Sequence, residues 1–268
     1  MTDDTRHTLT ETERQWCLDL RTALQIEGIP EPQPQSDFLL AQFALIGKGK
    51  TAAAVKRVQN YNTIITDQYG YRGGSEMLNT ESYQSTNRIF PNMIYMCPPQ
   101  TEKDIPTMVA DAQNYLPRKL KEGQLPLLIV DVLIRLDASN ADLNDVRKGV
   151  YFLLQAQGMG LSNFSQSVEK KTSKVYQDAY PCRYSMIPFV NIGLFFRVLM
   201  KLLKLFLTEK LRERIVLCNE EELYEIYGFD KATMPKCCGG DVDAQSPEEA
   251  SEYYDKIVRA ALERREES

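Results

Sequence analysis

Histidine is almost missing from this sequence: His7 is the only one among 268 residues. It stands in a polar amino-terminal stretch, far from any predicted core. A Ser-His-Asp triad, a His-rich zinc site and a general-base histidine all need an imidazole at the site. The sequence therefore disfavours hydrolases and metalloenzymes of these kinds, and we expect no catalytic residue, no metal and no cofactor.

Paired cysteines and a secretory signal are also missing. None of the six cysteines forms a C-x-x-C pair, although two of them, Cys237 and Cys238, are adjacent. This adjacent pair fits either a redox or metal feature or two buried reduced thiols, and we favour the thiols. Reduced thiols in a chain without a signal peptide indicate a cytoplasmic protein.

The sequence has no uninterrupted apolar run long enough to cross a bilayer. The most apolar stretch, GLFFRVLMKLLKLFL, carries Arg197, Lys201 and Lys204, whereas a transmembrane helix needs about 20 mostly apolar residues. Basic residues are not in excess either, with 32 against 37 acidic ones and a net charge of −5. This balance disfavours a nucleic-acid partner. Residues 197–214 nevertheless hold six basic and two acidic residues, so we expect this face to meet an anionic membrane surface transiently.

What is present is enough apolar sequence for a large core, at 43% hydrophobic and 26% charged residues. Apolar spacing predicts a helix over 10–27, and Ser36-Asp37 can cap a second helix from Phe38. A third helix is expected from Thr51, and a helical, acidic tail beyond Asp241. Residues 102–136 also favour helix. Compact apolar runs predict strands at Ile89–Met96, Val150–Gln155, Ser185–Val190 and Arg214–Leu217. Strands separated by helices indicate an α/β fold with a mostly parallel sheet.

Residues 44–51, ALIGKGKT, resemble a phosphate-binding loop with alanine in place of the first glycine. In that interpretation Lys50 would reach the terminal phosphates, Thr51 would bind Mg²⁺, and Asp131 after an apolar run would orient the metal. The preceding segment reads better as a helix than as the strand that such a loop requires, and Asp131 is placed to pair with Arg135 at i, i+4. A nucleotide hydrolase remains the alternative.

The stretch 176–241 contains a series of motifs in a fixed order. Tyr180-Pro181 precedes a strand that ends in Asn191; an apolar helix follows; then come F-L-T-E-K-x-x-E-R-I at 206–215 and P-x-x-x-G-G at 235–240. This series resembles the CRAL-TRIO lipid-binding family. The resemblance extends to LLAQFALIGKGKTAAAV, where the family has two helices joined by a turn, and it makes residues 44–51 that turn.

The resemblance implies a helical amino-terminal lobe at 1–75, an α/β lipid-binding domain at 76–241 and an acidic carboxyl-terminal helix at 242–268. It further implies a non-enzymatic monomer that carries a small hydrophobic lipid between membranes, in the cytoplasm and with transient membrane association. A mobile gate helix would cover the internal apolar pocket and present Leu194, Phe195, Val198, Leu202 and Phe206. A scaffold of the same fold that binds no lipid remains open.

Two sets of residues follow from this resemblance. The pocket wall is expected from the sheet, the helix before it and the gate, at Phe152, Leu154, Val175, Tyr184, Ile187, Phe189, Leu199 and Leu203. Relatives that bind phosphoinositide or another anionic headgroup match this chain at Lys48, Arg183, Lys210 and Arg214. Other family positions differ, because Cys182 replaces a glutamate of phosphatidylinositol carriers, and Ser185 and Gly47 replace cations. These differences disfavour phosphatidylinositol as the internal cargo.

Overall fold

The computed structural model describes residues 8–193, 207–242 and 247–266. The helices are α1 Glu11–Glu27, α2 Asp37–Gly47, α3 Thr51–Asn60, α4 Gly74–Met77, α5 Ser85–Ile89, α6 Gln124–Ala138, α7 Leu143–Lys148, α8 Gln166–Ser173, α9 Glu209–Arg212, α10 Glu220–Glu225 and α11 Pro247–Glu266. The strands are β1 Ile94–Gln100, β2 Ile105–Asp111, β3 Val150–Gln155, β4 Tyr184–Val190 and β5 Ile215–Cys218. Two helices continue in π-helical geometry, α3 through Tyr61–Gln68 and α8 through Lys174–Ala179.

The predicted amino-terminal helices are confirmed, and their first residues explain where they begin. Thr10 caps α1 in a reciprocal pair of hydrogen bonds with Glu13, and the Ser36 hydroxyl accepts from the Leu39 N–H at the start of α2. Buried apolar side chains of both helices, such as Leu24 and Phe43, pack into one core. The same core includes residues of α6, the sheet and α11.

The sheet confirms the prediction of a mostly parallel α/β fold. Its strand order is β1-β2-β3-β4-β5, with β2 to β5 parallel and β1 antiparallel to β2. The strand β3 has the predicted bounds, and β4 and β5 differ from theirs by one residue. Runs such as Val150–Gln155 are mainly apolar because helices or loops cover both faces of a parallel sheet.

The prediction was wrong between residues 89 and 111. A strand was expected at Ile89–Met96, but Ile89 ends α5, and a turn with Asn92 at φ +58° precedes β1. The expected helix over 102–136 exists only as α6, and β2 takes its first part. The β-branched residues Ile105, Thr107 and Val109 favour a strand. Antiparallel pairing with β1, for example between Met108 and Met96, stabilises it there.

The predicted carboxyl-terminal helix is present as α11, whose residues Val258, Ala261 and Leu262 are buried. All six cysteines are free thiols, and the Sγ atoms of Cys237 and Cys238 lie 3.9 Å apart. Within the described ranges, the structure has no helix that combines the length and the apolar character needed to cross a membrane.

Candidate functional site

Residues 44–51 form a turn between two helices. The helix α2 ends at Gly47, Lys48 adopts a left-handed conformation with φ +50°, and Thr51 begins α3. A phosphate-binding loop follows a buried strand, whereas this turn follows a helix. Lys50 and Thr51 therefore lack the backbone setting of the nucleotide-hydrolase alternative.

Asp131, the acid of that alternative, is bound within the protein. It lies in the middle of α6, fully buried, and pairs with Arg135 at 3.2 Å. Its two carboxylate oxygens also accept backbone N–H bonds from Gln84 at 2.9 Å and Thr86 at 3.0 Å. These bonds fix the loop before α5, so the role that the geometry gives Asp131 is structural.

An apolar cavity of about 240 Å³ lies between the sheet and α8. Five of the residues predicted for a lipid pocket border it: Phe152 and Leu154 from β3, and Tyr184, Ile187 and Phe189 from β4. Further described wall residues come from α6, β5 and the loops, among them Val132, Leu136, Met159, Phe164, Leu207, Leu211 and Ile215. The sheet side of the cavity is therefore almost entirely apolar.

The other three residues predicted for the lipid pocket are not among its described wall residues. Val175 is fully buried in the main core and does not border the cavity, so its assignment was wrong. Leu199 and Leu203 lie outside the described residues, as do the gate residues Leu194, Phe195, Val198, Leu202 and Phe206. The neighbour of Val175, Tyr176, borders the cavity instead, because successive residues of a helix point in different directions.

The helix side of the cavity is a stripe that sequence reasoning missed. Glu169, Thr172, Ser173, Tyr176 and Gln177 all border the cavity, and their spacing of i, i+3, i+4, i+7 and i+8 places them on one helix face. Polar residues at that spacing ordinarily indicate a face turned to solvent. The spacing itself was the available signal, because it identified one face, although not what that face meets.

Glu169 is the ionisable member of this stripe. Burial raises the pKa of its carboxyl to about 7, and a hydrogen bond from the Tyr115 hydroxyl only partly offsets that effect. Tyr115 also borders the cavity, and burial together with the nearby Glu169 charge raises its own pKa. At neutral pH the carboxyl is thus divided between its neutral and charged forms.

A second, basic cavity of about 410 Å³ adjoins the first. Tyr176, Gln177, Tyr184 and Leu211 belong to the walls of both cavities. The four residues predicted for an anionic headgroup, Lys48, Arg183, Lys210 and Arg214, all border the basic cavity. The fold therefore brings together cations that are more than 160 positions apart in the sequence, from 48 to 214.

Two further cations border the basic cavity, and sequence reasoning did not identify them. Arg147 is paired with Glu13 at 2.7 Å, which lowers the pKa of Glu13 to about 2. Arg57 donates from Nη1 to the Tyr180 carbonyl at 2.8 Å, and burial lowers its pKa. Arg57 follows Lys50 by two helical turns on α3, a spacing that could have marked it as a neighbour of the turn at 44–51.

Backbone carbonyls, rather than carboxylates, accept hydrogen bonds from three of the cations, Arg57, Arg183 and Arg214. Arg183 donates from Nη1 to the Arg147 carbonyl at 2.9 Å, and Arg214 donates to the Ser185 carbonyl at 3.4 Å. Burial lowers the pKa of Lys210, and the nearby cations Lys48, Arg214, Arg183 and Arg57 lower it further. In the part of the chain that the structure describes, no carboxylate forms a salt bridge with any of these five cations.

The positions that differ from the family pattern are packed into the protein. Cys182 is a buried thiol beside the basic cavity, and burial raises its pKa to about 12. The Ser185 hydroxyl donates to the Lys148 carbonyl. A Cβ on Gly47 would lie 3.1 Å from the Cβ of Ala54, so a larger residue there would require α2 or α3 to shift by a few tenths of an ångström.

The model of the CRAL/TRIO domain family matches residues 102–240, just over half of the chain. Tyrosine-protein phosphatase non-receptor type 9 from Mus musculus, Homo sapiens and Rattus norvegicus is 27% identical over 105 residues. That match covers 39% of this chain and spans 17% of the length of these relatives.

The crystal structure of Sfh5 has a similar fold, with a TM-score of 0.57 and 13% sequence identity over 94% of this chain and 99% of that one. At this identity the similarity concerns the fold, including the five-stranded, mostly parallel sheet. The phosphatase activity in the name of the other relatives is said of those proteins alone.

Proposed function

The chain belongs to the CRAL/TRIO domain family, and from that premise we propose that it binds a small hydrophobic lipid in the apolar cavity and carries it between membranes. In this proposal the basic cavity receives a phosphoinositide or another anionic headgroup, and the protein acts as a cytoplasmic monomer without catalytic activity. Membership supports lipid binding or transfer in general. The features below support the more specific assignment.

The observation that carries the proposal is the contact between the two cavities. The apolar cavity and the basic cavity share the wall residues Tyr176, Tyr184 and Leu211. An apolar cargo in one and a charged headgroup in the other would therefore lie within a few side chains of each other. Moving a 16-carbon chain into water costs on the order of 12 kcal/mol. A carrier therefore has to open against the membrane, and cations beside the opening would hold it there.

The charge of the basic cavity supports an anionic ligand. Lys48, Arg57, Arg183, Lys210 and Arg214 converge without a carboxylate partner among the described residues, and like charges at short range are unfavourable. A phosphate group would relieve that repulsion and accept charge-assisted hydrogen bonds from arginine and lysine. Two or more phosphates would use the cluster more fully than one.

We assign the gate to residues 194–206. The residues on either side of this segment support the assignment, because Ile192 packs with Ile187 and Phe189 beside the apolar cavity, and Leu207 borders it. The described residues on both sides of the segment therefore lie beside the proposed lipid site. Its mixture of apolar residues with Arg197, Lys201 and Lys204 suits a helix lying at an anionic surface.

Vesicle binding tests the headgroup assignment. Wild-type protein should float with phosphatidylcholine vesicles that contain phosphatidylinositol 4,5-bisphosphate and not with phosphatidylcholine alone. The double variant K210E/R214E should lose most of this binding. The matched control K119E/K121E changes two exposed cations outside the basic cavity, so it carries the same change in net charge and should bind nearly as wild type does.

Native mass spectrometry tests the lipid cargo. Purified protein, or protein incubated with mixed vesicles, should retain a stoichiometric apolar adduct that organic solvent extracts. Leu154→Trp and Phe189→Trp would fill the cavity and should remove the adduct, whereas Leu18→Trp, at an exposed position on α1, should keep it. A protein that stays empty under all of these conditions would favour the scaffold alternative.

A further inference from the structure

One carboxylic acid borders the apolar cavity, and the proposed lipid site does not yet explain it. Glu169 is the sole acidic residue among the described residues of the wall, and that part of the wall includes no lysine or arginine. Burial raises the pKa of Glu169, the Tyr115 hydroxyl lowers it by less, and the net shift is upward. Among the described residues of the wall, this carboxyl therefore has no counter-ion, and burial removes part of its hydration.

The other polar side chains of the wall are bound within the protein. Asn163 donates from Nδ2 to the carbonyls of Ala112 at 3.0 Å and Tyr115 at 2.8 Å, and its Oδ1 accepts from the Gly160 N–H. The Thr172 hydroxyl donates to the Val168 carbonyl at 3.1 Å. These groups are already satisfied, which leaves them little capacity for a ligand.

Gln177, on the same stripe, is bound in a similar way. Its Nε2 donates to the Ser173 hydroxyl at 2.5 Å, and its Oε1 accepts from the Thr208 N–H at 3.0 Å. Glu169 differs, because a carboxylate offers about four acceptor sites and the Tyr115 hydroxyl occupies one of them. Glu169 borders the cavity, so its other acceptor sites are available to a ligand there.

A carboxyl at an apolar site reduces stability unless a partner compensates its lost hydration. A leucine at position 169 would suit an unbroken hydrocarbon better. We infer that Glu169 and Tyr115 form a polar subsite that binds a hydroxyl group on the cargo, an inference that rests on the proposed lipid cavity. The cargo class is then an alcohol or phenol with a large apolar body, rather than a hydrocarbon, an ether or an ionised fatty acid.

A hydroxyl suits this subsite in both protonation states of the carboxyl. The charged carboxylate accepts the hydroxyl proton, and the neutral acid either accepts it or donates to the hydroxyl oxygen. Among the described residues, the titratable groups that interact with Glu169 are Tyr115 and Tyr176, both with a raised pKa and neutral. A cargo carboxylate at this subsite would meet the Glu169 charge, and the described wall of the apolar cavity offers it no lysine or arginine, so the subsite disfavours it.

A matched pair of ligands tests the inference on the wild-type protein. Dodecan-1-ol and dodecyl methyl ether have the same 12-carbon chain, but the ether has a methyl group in place of the hydroxyl proton. Dodecanoate ends in a charged carboxylate instead. Each is loaded from phosphatidylcholine vesicles at pH 7.5, and occupancy is read by native mass spectrometry. We expect the alcohol to bind at least tenfold more tightly than the ether, as one hydrogen bond to a charged group predicts, and dodecanoate to bind more weakly than the alcohol.

Variants on one helix complete the test. Glu169→Leu should bind alcohol and ether alike, and Glu169→Gln should keep part of the preference because the amide oxygen still accepts. Gln166→Leu, at an exposed position of α8 that does not border the cavity, should keep the full preference. Equal binding of alcohol and ether to wild type would overturn the subsite and leave the lipid cavity standing. Binding of none of the three ligands would overturn the proposed lipid cavity, and the subsite with it.

Discussion

Arg265 of α11 and Asp137 of α6 form an ion pair of 3.1 Å in the protein interior. Tyr71 and Tyr180 donate their hydroxyl protons to the same carboxylate, and Arg265 also donates to the Asn140 carbonyl at 3.1 Å. One carboxylate thus joins the carboxyl-terminal helix, the segment after α3 and the segment before β4. Tyr180 in turn accepts the hydrogen bond from Arg57, so this network reaches the basic cavity.

Removing the cation from this network should be costly. We expect Arg265→Met to lower the free energy of unfolding by about 3–5 kcal/mol, because it leaves the Asp137 charge buried without its partner. Urea denaturation measures the difference. Arg14→Met, which breaks an exposed pair with Glu11, is the control and should change stability by less than about 1 kcal/mol. Equal effects of the two substitutions would show that the buried pair contributes no more than a surface pair.

The parts of the fold that sequence predicted are those with a strong local signal. Apolar spacing identified the helix over 10–27, the cap at Ser36 identified the start of α2, and the apolar run Val150–Gln155 identified β3. The segment 89–111 was misread because its outcome depends on pairing between β1 and β2. Local sequence is a weak guide to an antiparallel edge strand that contains Pro98 and Pro99 and has an irregular register.

For the site, the resemblance located more than the local sequence did. It brought Lys48 and Arg214 into one group, although neither residue carries any signal of the other along the chain. The same reasoning missed Arg57 and the stripe from Glu169 to Gln177. Polar side chains that border an internal cavity have the same periodicity as side chains facing water, so only the position of α8 against the sheet separates the two cases.

Gly149 packs against Arg183 and Ser185, and Arg183 borders the basic cavity. It has φ +79°, and a Cβ there would lie 2.4 Å from the Arg183 carbonyl oxygen and 2.7 Å from the Ser185 Oγ. We expect Gly149→Ala to lower the free energy of unfolding by about 2 kcal/mol or more, since it combines an unfavourable backbone conformation with a clash. It should also weaken anionic vesicle binding, because Arg183 has to move.

Gly28→Ala is the control for Gly149→Ala. Its φ is +64°, but no atom lies within 4 Å of the added Cβ, so only the backbone penalty of about 1 kcal/mol applies. Chemical denaturation of both variants compares a left-handed position in open space with Gly149, where the backbone (φ 79°, ψ −167°) and the close contacts both oppose a side chain. Equal losses would mean that the contact with Arg183 and Ser185 relaxes without cost.

Lys210 should stabilise binding at the expense of the free protein. Its ammonium group lies among Lys48, Arg57, Arg183 and Arg214, which lower its pKa in addition to burial. We expect Lys210→Met to raise the melting temperature slightly at low salt, by an amount worth a few tenths of a kcal/mol. The gain should fade at 1 M salt, where the Debye length is about 3 Å.

The same variant should respond less than wild type to inorganic phosphate, because a ligand of the native state raises stability according to its affinity. Lys121→Met removes an exposed cation outside the basic cavity and should change neither the melting temperature nor the phosphate response. A wild-type protein that phosphate does not stabilise would count against an anion site in the basic cavity.

Glu169 should make stability depend on pH even without a ligand. Its pKa is about 7 in the folded protein against an ordinary value of 4.5, so between these values the native state holds a proton that the unfolded chain has released. Stability from this group is therefore complete below pH 4.5 and is lost as pH rises to about 7. Glu169→Gln removes the titration. We compare the free energy of unfolding of the variant with that of wild type at each pH. This difference should shift by about 2–3 kcal/mol in favour of the variant between pH 4.5 and pH 8, since each pKa unit corresponds to 1.36 kcal/mol.

Urea denaturation at pH 4.5, 6 and 8 measures this difference, and Tyr115→Phe provides the complementary change. The Tyr115 hydroxyl donates to the carboxylate and favours its charged form, so removing it should raise the pKa of Glu169 further and deepen the loss of stability towards pH 8. A difference between Glu169→Gln and wild type that stays constant from pH 4.5 to pH 8 would mean that Glu169 titrates alike in the folded and unfolded chains. The carboxyl would then be hydrated in the native protein, and the polar subsite would lose its physical basis.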